Sequence, residues 1–319
     1  MSTPNRIENF PVSFFAMIMG LSGLTIAWQK AAHLLDADSN AAIPLVLITC
    51  LMFMGLAFIY GVKLIGSRHA VVEELRHPVK LNFFPAISIS MILLSVIFLP
   101  LQQQAAHILW LAGIVLHLAF TLYVMSVWIH HDRFEIHHIN PAWFIPVVGN
   151  VLVPITGTAL GYAEVSWFFF SIGIVFWVVL FSIIFNRVLF HQALPEKLMP
   201  TLFILIAPPA VGFLSYSALI GGIDSFARVL YYTALFLTLL LLTQLPRFAK
   251  LQFFLSWWAY SFPLAAITIG SMKMSELTHI PGFFYLSWTL LGLLSLVVGY
   301  LLLKTGKAVQ NHKICLPEA

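Results

Sequence analysis

Residues 81–131 read LNFFPAISISMILLSVIFLPLQQQAAHILWLAGIVLHLAFTLYVMSVWIHH, 51 residues without one Asp, Glu, Lys or Arg. As a single α-helix they would extend about 75 Å, against a hydrocarbon core of about 30 Å. One crossing cannot use them. The run divides at Pro100 and Gln102-Gln103-Gln104, leaving two apolar helices and a very short turn between them. Outward from there the same pattern repeats, with charges bounding long neutral stretches such as Asn9 to Gln29, Ser39 to Val62 and Val165 to Asn186. The whole chain reads as ten crossings, at 9–31, 41–64, 81–100, 104–129, 142–162, 165–189, 199–219, 226–245, 252–272 and 281–303. The runs are apolar all round, so they are helices and not the alternating strands of a barrel.

Composition agrees. Of 319 residues 61% are hydrophobic and 9% charged. Sixteen Lys/Arg and twelve Asp/Glu are too few to cover a soluble globule of this size, which excludes a soluble enzyme and a nucleic-acid binder. Two cysteines, Cys50 and Cys315, exclude a disulfide framework. Glu8 interrupts the N-terminal segment and no small-residue cleavage site follows it, so the first apolar run is expected to stay as a transmembrane helix. The chain reads as one transmembrane domain with a polar tail at 304–319.

An even number of crossings puts both ends on one side. That side collects 13 of the 16 basic residues, from Arg6 through Lys63, Arg76, Lys80, Arg133, Arg187, Lys197 and Arg247 to Lys304, Lys307 and Lys313. Lys30, Arg228 and Lys273 fall on the other side. The bias of short loops assigns the lysine-rich side, and both termini, to the cytoplasm.

The odd-numbered segments share a character that sets them apart from the even ones, which are poorer in proline. Each carries prolines near or within its apolar run: Pro11 in the first, Pro85 in the third, Pro146 and Pro154 in the fifth, Pro208-Pro209 in the seventh, and Pro263 in the ninth. A proline inside a membrane helix removes a backbone bond and kinks it, which is tolerated where the freed carbonyl faces protein or water. The rhythm predicts five helical hairpins, with odd helices around a central path and even helices toward lipid. Gly and Pro are also simply commoner in membrane helices, which is the plainer reading of the same residues.

The crossings hold no acidic or basic residue near mid-membrane, which weighs against a carboxylate proton relay and a voltage sensor. A path would therefore be lined by backbone, by small polar residues and by aromatic rings. Ser13, Ser88, Asn150, Ser215 and Ser261 are the polar candidates, and Phe14, Phe15, Phe84, Phe144 and Phe203 the aromatic ones. His107 and His117 read as local hydrogen-bonding groups. His130-His131 with His137-His138 match no metal-site spacing and read as a solvated loop, and Trp257-Trp258 fit an aromatic belt.

Trp257-Trp258-Ala259-Tyr260-Ser261-Phe262-Pro263, together with Phe10-Pro11 and Gly20, His77-Pro78, and Asn140-Pro141 with Asn150, resembles the tellurite-resistance/dicarboxylate transporter family over about residues 9–303. That family includes bacterial tellurite-resistance channels, yeast malate and sulfite transporters and plant slow anion channels. The resemblance implies a homotrimer in the bacterial inner membrane, each subunit with its own pore, and a passive path for small inorganic or organic anions without a cofactor. It also implies a phenylalanine plug in the ninth helix, which falls here on Phe262. Where bacterial relatives tend to pair a glycine with an aromatic in the first helix, this chain has Phe14-Phe15-Ala16. A proton-coupled dicarboxylate carrier or a tellurite or sulfite exporter is the rival within transport. A membrane enzyme or receptor using the histidines is the rival outside it.

Overall fold

A computed structural model describes residues 6–35, 42–130 and 134–315. It is all-α among these residues. The helices are α1 (Phe15–Leu34), α2 (Ile43–Gly66), α3 (Arg68–Arg76), α4 (Pro85–Phe98), α5 (Gln103–His130), α6 (Phe144–Val148), α7 (Val153–Gly157), α8 (Ala163–Phe190), α9 (Ala207–Ile220), α10 (Ser225–Leu242), α11 (Leu245–Phe248), α12 (Ser261–Thr278) and α13 (Pro281–Gln310). Eight helical segments among the described residues are long and apolar enough to cross a membrane. They coincide with the first to fourth, sixth to eighth and tenth apolar runs of the sequence. The fifth run is a shorter, broken segment, Pro141–Gly157. The ninth is α12, whose far end carries Lys273 and Glu276.

The prolines act at a defined place. Val12–Phe14, Lys80–Phe83, Pro141–Trp143, Gly149–Leu152, Met199–Ile206 and Leu255–Tyr260 are 3-10 runs, each leading into an α-helix. Pro85, Pro146, Pro154, Pro208, Pro209 and Pro263 all lie within the first three positions of the helices that follow. The first N–H groups of a helix have no partner within it, so a proline there sacrifices no bond. The kinks expected from sequence thus take the form of junctions between tight and regular helix. The even-numbered runs have no comparable lead-in of three residues or more among the described residues.

Burial separates the two sets. In the most apolar windows of the first, third and seventh segments, 72%, 72% and 67% of residues are buried. In the second, fourth, sixth, eighth and tenth the share falls between 22% and 39%. The inner elements touch one another in sequence: α1 packs on α4, α4 on α7, α7 on α9, α9 on α12, and α12 back on α1. Each also packs on the long helix that follows it, as α4 does on α5 and α12 on α13. Close approach is bought with small residues. A Cβ built on Gly20 would lie 2.0 Å from Ser261 Oγ, and one on Gly23 would lie 2.6 Å from Ala265 Cβ, so α1 and α12 meet where both are nearly bare backbone.

Candidate functional site: a lysine-rimmed vestibule

A cavity of about 1370 Å³ opens between the leading ends of the inner segments. Lys63, Lys80, Lys197, Lys304, Lys307 and Lys313 line it, together with Glu8, Glu73 and Glu74. Basic side chains outnumber acidic ones two to one. Deeper along the chain direction the lining turns apolar. Ala16 and Met19 come from the first segment, Ile145 from the fifth, Ile204 from the seventh, and Phe262 with Pro263 from the ninth, while Phe83 leads into the third. The cavity therefore gathers side chains from all five inner segments.

One wall is fixed by a buried ionic knot. The Glu74 carboxylate accepts from Lys63 Nζ at 2.9 Å, from the Tyr60 hydroxyl at 2.9 Å and from the Val12 backbone N–H at 3.2 Å. Lys63 Nζ also donates to the Phe10 carbonyl at 2.8 Å. Lys63 is 2% exposed and Glu74 6%, so neither charge is left to water. The knot ties α2 and α3 to the segment that carries Phe10, Ser13 and Phe14. Sequence reading counted Lys63 only as a charge on one side and gave Glu74 no role.

The aromatic candidates divide by their partners. Phe14 lines the vestibule and stacks on Phe10, with ring centres 4.4 Å apart. Phe15 packs edge-on against Phe53 and Tyr60, Phe84 edge-on against Tyr60 and tilted against Phe120, and Phe203 edge-on against Phe248 and Tyr260. Phe144 is fully buried. Phe262 differs in being half-buried on the vestibule; like Phe144, it has no aromatic ring paired with it among the described residues. Its ring lies beside Gly23, where an added Cβ would stand 3.6 Å from Cδ2.

Of the polar candidates, Ser13 lies on the vestibule. The other four are wholly buried and bonded within the protein. Ser88 donates to the Pro85 carbonyl at 2.8 Å, which commits its one proton. Its oxygen therefore accepts from His117 Nδ1, 2.9 Å away. Asn150 donates to the Val147 carbonyl at 2.7 Å and to Thr121 Oγ1 at 3.1 Å. Ser215 donates to the Val151 carbonyl, and Ser261 to the Trp258 carbonyl at 2.6 Å. The three serines thus bond backbone carbonyls close by, as buried hydroxyls in helices commonly do, whereas the buried Asn150 Oδ1 and His117 Nε2 have no hydrogen-bond partner among the described residues.

The histidines gather into no larger cluster than the adjacent His137 and His138, whose ring centres lie 4.0 Å apart, among the described residues. His107 Nε2 is 3.0 Å from the Tyr162 hydroxyl, and His130 Nδ1 bonds the Ser126 carbonyl. His137 lies beside Glu135, and His138 Nδ1 accepts from the Glu135 N–H. His131, Asp132 and Arg133 lie outside the described residues. Among the described residues no three metal-ligating side chains converge. Met19, Ile145 and Ile204 were missed by sequence reading, because apolar residues on an apolar helix carry no signal of the face they occupy, whereas Ala16, singled out in the sequence as the departure in the first helix, does line the vestibule.

Comparison with known proteins places this geometry. The profile of a family described as voltage-dependent anion channel matches residues 9–306. The chain is 29% identical over 272 residues to the S-type anion channel SLAH3 of Arabidopsis thaliana, covering 83% of this chain and 43% of that one. It is 29% identical over 282 residues to SLAH2 of the same plant, covering 84% and 53%. It is 25% identical over 311 residues to a tellurite resistance protein TehA homolog of Haemophilus influenzae, covering 95% and 94%. The chain thus spans about half the length of the two plant relatives and nearly all of the bacterial one.

Proposed function

The chain belongs to the voltage-dependent anion channel family, and on that premise we propose that it provides a passive path for small anions through the membrane, entered from the lysine-rimmed vestibule. The observation that carries this reading is the vestibule's polarity profile. The lining lysines other than the buried, paired Lys63 concentrate anions at the mouth, and an apolar floor around Phe262 sets the barrier. The crossings supply no acidic residue at mid-depth that would repel an anion or relay a proton.

The finer architecture belongs to the same proposal. Ten crossings form five hairpins, with the fifth and ninth runs completing the ring that α1, α4 and α9 begin. Supporting this are the burial contrast between odd and even segments, the 3-10 lead-ins shared by the odd ones, and the circuit of contacts from α1 through α4, α7, α9 and α12. The basic-residue bias supports a cytoplasmic vestibule with both termini on that side of a bacterial inner membrane. Tags at Ser2 and Ala319, which lie outside the described residues, should be reachable from the cytoplasm only. A homotrimer with one path per copy is carried over from the family resemblance, and native mass spectrometry of the purified protein reads it directly.

Flux into proteoliposomes tests the function. Chloride, nitrate, bromide and a C4-dicarboxylate are compared with the proton gradient collapsed. Flux that persists supports the passive path. Flux that requires a pH difference sinks it in favour of a proton-coupled carrier.

A further inference from the structure

A second cavity, of about 480 Å³, lies on the outside of the ring between the lead-in to α1, α2 and α13. Its walls are almost wholly apolar, with Phe14, Met52, Leu56 and Leu302 among them, and the exposed Arg6 stands at its rim. The hydroxyl of Thr305, also on the wall, already accepts from Trp258 Nε1 at 3.0 Å. From Lys63, at the lysine-rich end of α2, back to Met52 is 11 residues, or about 16 Å of helix. That is close to one leaflet of a hydrocarbon core about 30 Å thick. With Arg6 at its rim and apolar side chains from there to Met52, the groove matches an anionic amphiphile in charge and orientation, and Met52 marks how far into that leaflet its chain would reach.

We propose that this groove binds one acyl chain of an anionic phospholipid from the leaflet on the lysine-rich side, its phosphate at Arg6 and its chain against Leu56 and Met52. Phe14 borders both this groove and the vestibule. A chain in the groove therefore props the ring that forms part of the vestibule wall, and anionic lipid supports conduction through it. This second step rests on the conduction reading; binding itself does not.

The test uses the full chain in nanodiscs of phosphatidylcholine, doped with phosphatidylglycerol that carries a diazirine on its acyl chain. Photolysis followed by peptide mapping should place adducts on Met52 to Leu56 and around Leu302 at least fivefold above Val175 and Val179, which are exposed on α8. Gly306 borders the groove, and a Cβ built there meets nothing within 4 Å. Gly306→Leu should therefore fold normally, fill the groove and cut those adducts at least fivefold. Arg6→Gln should remove the preference for the phosphatidylglycerol probe over a phosphatidylcholine probe of the same chain. Even labelling of the groove and α8, or groove adducts unchanged in Gly306→Leu, would overturn the proposal. So would cross-links from a diazirine amino acid at Leu302 to a second copy of the chain, which would make the groove a subunit contact. The adducts are read without any flux, so failure of conduction and failure of lipid binding are seen separately.

Discussion

Lys63 Nζ is 2.9 Å from Glu74 Oε2, and both side chains are shut away from solvent at the lysine-rich end of the fold. Two charges there cost several kcal/mol to desolvate, and the pair holds because the Tyr60 hydroxyl, the Val12 N–H and the Phe10 carbonyl complete its hydrogen bonds. Removing one partner strands the other. Lys63→Met is expected to cost about 3–5 kcal/mol. The double variant Lys63→Met with Glu74→Leu should recover most of it, since no charge is left unpaired. Thermal unfolding of the purified protein, followed by tryptophan fluorescence, checks this. Equal losses for the single and double variants would mean that the pair contributes packing and no electrostatics.

The contact between α1 and α12 depends on one missing methyl. Gly20→Ala would drive a Cβ to 2.0 Å from Ser261 Oγ and 2.7 Å from its Cβ, so the two helices must separate or Ser261 must turn away. Overpacking of this kind costs about 1–3 kcal/mol. Ser261→Gly, combined with it, removes both clashing atoms and should restore much of the loss, leaving the milder approach to Trp258 Cε3 at 3.2 Å. Midpoints of denaturation for the four members of the cycle provide the measurement. Additive losses would show that the two sites do not meet.

The vestibule lysines are expected to act on anions through space. Lys304, whose ammonium also lies 5.2 Å from the centre of the Tyr300 ring, and Lys307 are the pair to neutralise. Lys304→Gln with Lys307→Gln should lower chloride flux severalfold at about 10 mM salt and little at about 1 M. The screening length falls from about 30 Å to about 3 Å over that range. A loss of equal size at both salt concentrations would point to direct binding or to misfolding.

The long crossings were legible because charges are scarce and bound them: the uncharged run from Leu81 to His131 demands two helices whatever else is true. The odd–even contrast was legible too, because prolines such as Pro85 and Pro263 cluster on one set. Their placement was not. Pattern alone suggested kinks in mid-helix, whereas Pro208 and Pro209 stand at the second and third positions of α9, after an eight-residue 3-10 run. Rotation was the least legible feature. Ser88 and Ser215 are as polar as Ser13, yet they bond nearby backbone while Ser13 faces the vestibule, and an all-round apolar helix has no moment to distinguish the two. Glu74 escaped because its partners, Val12 and Tyr60, come from 62 and 14 residues away.

Phe262 is expected to set the barrier in the proposed path, and its truncation separates gate from core. The ring stands half-buried at the apolar end of the vestibule, beside Gly23 and without an aromatic partner among the described residues. In the proposed path an anion passing the neck of apolar side chains around Phe262 gives up water that they do not replace, at a cost of several kcal/mol. Phe262→Ala widens the neck by most of a ring. Pro263 stays at the start of α12, where it constrains the residue before it, so the backbone should not follow the side chain. Anion flux per protein is then expected to rise at least tenfold, corresponding to about 1.4 kcal/mol or more off the barrier. Expression and melting temperature should change little. A ring that served only as packing would behave in the opposite way, losing about 3–5 kcal/mol of stability on truncation with no gain in flux. Phe262→Leu should lie between the wild type and Phe262→Ala in flux, because barrier height follows the volume left in the neck. Stable variants with unchanged flux would remove this residue from the path altogether.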